Sequence, residues 1–147
     1  MGDKMEENIN ALDEINKGAC MGMDAIDDIL DKVEDSKFKS LLEKQYGFYE
    51  SIKDDITNIY DKYNSDDTPH ETSVMNKVMT WSGINMKTMT NHSNSNIAEL
   101  LLQGTNMGII EGRRILNKKE INKDVEDIID KFVKKQEKYV EDLKKFL

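Results

Sequence analysis

Lys17-Gly18-Ala19-Cys20-Met21-Gly22 returns 86 residues later as Gln103-Gly104-Thr105-Asn106-Met107-Gly108. At the same offset each copy leads to an aliphatic pair, Ile29-Leu30 and Ile115-Leu116. Further along, after a slip of a few residues, Gln45-Tyr46-Gly47-Phe48 corresponds to Gln136-Glu137-Lys138-Tyr139, now 91 residues apart. Two helical hairpins of one kind in a single chain predict a duplicated four-helix bundle.

Composition points the same way. The chain has 147 residues, which suits one domain spanning 1–147 and large enough to bury a core without disulfides or metal. Charged residues make up 34% and there is a single Pro, as expected for helices with solvated outer faces. Beta-branched runs with period-two alternation are absent, so a sheet has little to build on. A net charge of −8 and a pI near 4.8 disfavour nucleic-acid binding, which needs a basic stripe, and docking on an anionic membrane surface. Cys20 is the sole cysteine and forms no internal disulfide. The start, Met1-Gly2-Asp3-Lys4-Met5-Glu6-Glu7, is acidic and unlike a signal peptide. Glu6 stands where a myristoylation signal has Ser or Thr. No apolar stretch approaches the ~20 residues of a membrane span. The expectation is a soluble cytoplasmic protein that engages neither nucleic acid nor membrane.

The apolar spacing predicts a first helix from about Glu6 to Val33, carrying Ile9, Leu12, Ala19, Met23, Ile26, Leu30 and Val33 inward. Glu34-Asp35-Ser36 is a short connection in which Asp35 or Ser36 can cap the next helix. A loop this short makes the second helix antiparallel to the first. Its stripe is Phe38, Leu41, Gln45, Phe48, Ile52, Ile56, Ile59 and Tyr63. After Asn64-Ser65-Asp66-Asp67, Thr68-Pro69-His70-Glu71 reads as a capped helix start. The shorter helix it opens runs to about Thr90, apolar at Val74, Met75, Val78, Met79, Trp81, Met86 and Met89. A third bundle helix begins near Asn96 with Ile97, Leu101, Thr105, Gly108, Gly112 and Ile115 inward. After a break at 117–122, the last helix shows Val125, Ile129, Phe132, Gln136, Tyr139, Leu143 and Phe146.

Gln45 and Gln136 interrupt otherwise apolar stripes at matching points of the repeat. Burying an amide without partners costs about 1–3 kcal/mol. Both are therefore expected to be buried and hydrogen-bonded, to each other, to Thr105 or Tyr139, or to water. Such a pair can fix helix register, or it can line a pocket for a small polar ligand. Amides and hydroxyls are weak ligands for iron or manganese.

The hairpin repeat, the Trp-bearing segment Val78-Met79-Thr80-Trp81-Ser82-Gly83-Ile84-Asn85-Met86-Lys87 and Leu100-Leu101-Leu102-Gln103-Gly104 together resemble the ferritin-like superfamily. More narrowly, they resemble a rubrerythrin-related bacterial ferritin-like family of unknown function. The resemblance covers most of the chain and rests on short motifs. It implies an all-α fold: an antiparallel four-helix bundle of two hairpins, with an extra crossover helix between them. It also implies where a di-metal centre would lie, since such bundles take one Glu from each of two helices and a Glu-x-x-His pair from each of the other two.

At those positions this chain departs. The first Gly-Glu element becomes Gly18-Ala19 and the second becomes Gly104-Thr105. The Glu-x-x-His pairs become Gln45 with Phe48 and Gln136 with Tyr139. Sliding the register pairs Glu43 with Tyr46 and Glu137 with Val140, and the histidines, His70 and His92, bracket the crossover segment. The resemblance thus implies a bundle with no catalytic residues, no cofactor and no metal ligands of its own, serving as a structural or protein-interaction module. The alternative is a di-metal oxidoreductase or metal-storage protein whose ligands are displaced, using Glu43, Glu50, Glu111 or Glu137.

Other constellations are weaker. Cys20 reads as a small buried residue, or else as a reactive thiol with no His or Arg near it in sequence. Asp24, Asp27, Asp28 and Asp31 read as a solvated helix face. Asp124-Val125-Glu126-Asp127 lacks the glycine of a calcium loop. The scattered glycines make no phosphate cradle. Met75, Met79, Met86 and Met89 fit either a helix laid across the bundle or an adaptable surface for a homodimer or another protein partner. Gly104, Gly108 and Gly112 permit a close helix approach, either to the crossover helix or to a partner chain.

Overall fold

The computed structural model describes residues 2–65, 67–69 and 89–147. Among them are four α-helices and no strand: α1 (Gly2–Ile29), α2 (Ser36–Tyr60), α3 (Asn94–Lys118) and α4 (Lys123–Lys144). The first helix starts four residues earlier than its apolar stripe suggested and tightens into a 3₁₀ turn at Leu30–Lys32. Of the two candidate caps for α2, Asp35 is used: its carboxylate accepts from the N–H groups of Lys37 at 2.9 Å and Phe38 at 3.0 Å. Ser93 caps α3 by accepting from Asn96 N–H at 3.2 Å. Helix α3 ends at Lys119, which takes the left-handed conformation with φ 57° and turns the chain into α4.

Pairs of touching residues fix the directions. Gly22 meets Tyr49 and Asp13 meets Tyr60, so α1 and α2 run antiparallel. Phe38 stacks on Phe146 with ring centroids 4.4 Å apart, and Tyr63 bonds Asp124 at the other end, so α2 and α4 are antiparallel too. Gly108 lies against Gln136 and Gly112 against Val133, which makes α3 and α4 the second antiparallel hairpin. It follows that α2 and α3 point the same way. The connection between them joins opposite ends of a bundle about 37 Å long, at 1.5 Å per residue for a 25-residue helix. The crossover helix expected over 68–90, with Met75, Met79, Trp81 and Met86, falls on residues 70–88, outside the described residues. Met89, which is described, packs half-buried against the core.

The core follows the stripes with local adjustments. On α2 the fully buried residues include Leu42 and Tyr60, where the stripe named Leu41 and Ile59; these two are half-buried. Gly108 and Gly112 were expected to meet the crossover helix or a partner chain, but both face α4. A methyl group at Gly112 would come within 2.3 Å of Val133 Cγ2. At Gly22, the counterpart of Gly108 in the repeat, it would come within 2.3 Å of the Tyr49 ring. The repeated glycines therefore let each hairpin close tightly on a large side chain of the neighbouring helix.

Candidate functional site

The residues matched to ligand positions do come together in the middle of the bundle. Ala19, Gln45, Phe48, Thr105, Gln136 and Tyr139 are all buried. The group that joins them is Tyr49, one helical turn beyond Gln45, which the apolar stripe passed over. Gln45 Nε2 donates one hydrogen to the Tyr49 hydroxyl at 2.9 Å and the other to Thr105 Oγ1 at 3.2 Å. Tyr49 in turn donates to Gln136 Oε1 at 2.7 Å, and Thr105 donates to the Leu101 carbonyl at 2.8 Å. Each hydroxyl accepts once and donates once, so the direction of every bond in the network is fixed. One atom is left over: Gln45 Oε1 is buried and has no hydrogen-bond partner among the described residues.

Aromatic rings wall this network. Phe48 lies 6.0 Å from Tyr139, 6.1 Å from Tyr49 and 6.5 Å from Phe132, measured between ring centroids. Tyr139 reaches outward and donates to the Lys44 carbonyl at 3.2 Å rather than joining the glutamines. Burial in this apolar surround pushes the Tyr49 hydroxyl up to about 12, despite the bonds to Gln45, Gln136 and Thr105 that work the other way. The phenol therefore stays neutral as donor and acceptor across the whole ordinary pH range.

A di-metal centre does not fit these residues. Two amides and a hydroxyl are poor ligands for iron or manganese, and both histidine places hold aromatic rings, Phe48 and Tyr139. The displaced carboxylates lie elsewhere: Glu43, Glu50 and Glu137 are exposed, and Glu137 accepts a two-pronged contact from Arg113 at 3.2 and 3.3 Å. Glu111 is half-buried, 3.8 Å from Arg114. No group of three His, Cys, Asp or Glu among the described residues is arranged to hold a metal ion. His92 is exposed, Cys20 is half-buried, and Asp24, Asp27 and Asp31 lie on the surface. No helix among the described residues is long and apolar enough to cross a membrane.

A second polar cluster closes one end of the bundle, and the sequence reading did not anticipate it. Buried Asn8 accepts from Asn122 N–H at 2.8 Å, fastening the start of α1 to the start of α4. Tyr60 donates to Asp13 at 2.9 Å, and Asn64 donates to Tyr60 at 3.2 Å. Asp124 receives Tyr63 on one oxygen and Lys62 at 2.6 Å on the other. Burial works to raise the Asp124 carboxyl, but the bonds from Lys62 and Tyr63 outweigh it and hold the group below its ordinary value. The available signal was polar side chains, Asn8 and Asp13, on the inner face of an otherwise apolar helix.

The fold and this centre define the class: the described residues form a four-helix bundle, with no strand among them, around a buried amide–hydroxyl network. No family model matches the chain, and searches of curated proteins and of solved structures return no match.

Proposed function

We propose that this chain is a ferritin-like bundle in which a hydrogen-bond network has replaced the di-metal centre. In this reading it is non-catalytic, a structural or protein-interaction module of the cytoplasm. One observation carries the reading. The side chains matched to metal ligands are buried together, and the Gln45 amide hydrogens, Thr105 Oγ1 and Gln136 Oε1 are tied up with one another through Tyr49, which leaves Gln45 Oε1 as the unpartnered atom of the network. The parallel course of α2 and α3, which leaves a long connection between two antiparallel hairpins, agrees with the single-crossover topology of ferritin-like bundles.

The network then acts as a register lock. A slip of α2 by one residue would swing Gln45 and Tyr49 away from Thr105 and Gln136 and leave three groups without these partners, the Gln45 amide, the Tyr49 hydroxyl and the Gln136 carbonyl, while Thr105 keeps its bond to Leu101. Each stranded group costs about 1–3 kcal/mol, so alternative helix alignments are strongly disfavoured. The direct functional test is aerobic addition of Fe(II) to metal-free protein while ferric absorbance is followed. The expected trace matches buffer alone. Protein-dependent iron oxidation that saturates with iron would contradict a non-catalytic role.

A further inference from the structure

Among the described residues, the outer face of α3 is the one place where large apolar side chains of a bundle helix stand in water side by side. Met107 is 42% exposed and Ile110 51% exposed. Along the same line, at steps of three and four residues, lie Glu99, Gln103, Arg114 and Lys118, all exposed. The order along the helix is therefore anion, amide, two apolar residues, cation, cation. Glu99 and Lys118 take part in no ion pair among the described residues.

This stripe is complementary to itself when reversed. Met107 and Ile110, Gln103 and Arg114, and Glu99 and Lys118 share one midpoint, between Gly108 and Ile109. Two α3 helices laid antiparallel about a two-fold axis at that midpoint set Met107 against the second copy's Ile110. They also set Glu99 against its Lys118, twice over, because a two-fold contact repeats every pair. The aligned stretch from Glu99 to Lys118 is about 28 Å, at 1.5 Å per residue. Parallel stacking would instead bring Lys118 to Lys118 and Glu99 to Glu99. We propose that α3 is a homodimer interface and that its partner is a second copy of this chain, paired antiparallel through this stripe. The inference names the partner for the interaction-module reading and rests on that reading. Metal chemistry tests the one and molecular mass the other, so their failures are separable.

The test is sedimentation velocity of the full chain over a wide concentration range, with helical circular dichroism as a check on folding. The wild type is expected to shift from monomer to dimer as concentration rises. Ile110→Glu should be monomeric throughout and fully helical, because the side chain is already in water. Reversing one charge, Glu99→Lys or Lys118→Glu, makes two like-charge contacts and should weaken dimerisation about ten-fold, more at low salt. The double reversal Glu99→Lys with Lys118→Glu should return it to wild-type strength. A wild type that stays monomeric at the highest concentration overturns the proposal. So does a dimer indifferent to Ile110→Glu, or a double reversal no stronger than the single ones.

Discussion

Replacing Tyr49 with Phe removes one oxygen and leaves the ring packing against Gly22, Phe48 and Phe132 intact. The hydroxyl accepts from Gln45 and donates to Gln136, so its loss orphans one amide hydrogen of Gln45 and the carbonyl of Gln136. Both are buried, and each orphan costs about 1–3 kcal/mol, for a combined loss of about 2–6 kcal/mol. That is a large part of the ~5–15 kcal/mol by which a domain is stable, and it should lower Tm by about 5–15 °C in a chain of this size. Gln45→Met supplies the contrast. It removes the already unpartnered Oε1, while Tyr49 and Thr105 keep the bonds they donate to Gln136 and Leu101. Its cost should stay within about 1 kcal/mol. Urea unfolding followed by circular dichroism, with unchanged m-values, gives both numbers. If Tyr49→Phe proves as mild as Gln45→Met, the directional network does not exist as described.

Further outcomes follow from the same structure. Gly112→Ala should cost about 1–3 kcal/mol in thermal unfolding, because the new methyl lands 2.3 Å from Val133 Cγ2. Gly47→Ala, with nothing within 4 Å on an exposed stretch of α2, should instead stabilise by about 0.5–1 kcal/mol. Tyr49 is harder to ionise in the folded state, so its stabilising contribution is complete below pH 10 and is lost as pH rises toward 12. That difference corresponds to about 3 kcal/mol, and Tyr49→Phe should flatten the alkaline limb. Asp124 is shifted the other way, so its contribution is present above 3.8 and fades as pH falls through its lowered folded value. Asp124→Asn should remove this acid limb, and an unchanged acid denaturation profile would tell against the Lys62–Asp124–Tyr63 contact.

The four helices of the described residues and their order were legible in the sequence because apolar spacing, short connections and caps such as Asp35 act locally. The repeat of Gly and Gln also marked the correct meeting point of the hairpins: Gln45, Thr105 and Gln136 are buried together. Tyr49 was not legible in the same way. Its ring fits an apolar position and its hydroxyl a polar one, and only the facing Gly22 and Gln136 decide that both are used inside. The cluster of Asn8, Asp13, Tyr60 and Asn122 depends on three chain segments far apart in sequence, a relation that periodicity within one helix does not encode. The glycine ladder was visible, but its direction toward α4 required the packing of α3 on Val133 and Gln136.

The most direct test of the central claim is elemental analysis by mass spectrometry of tag-free protein. It is measured as purified and again after refolding with iron, manganese or zinc followed by desalting. The hydrogen-bonded centre predicts no stoichiometric metal in any sample and unchanged thermal stability after exposure to metal. About two metal ions per chain, of the kind a di-metal bundle holds, would contradict it, most plainly if they raise Tm and disappear on chelation.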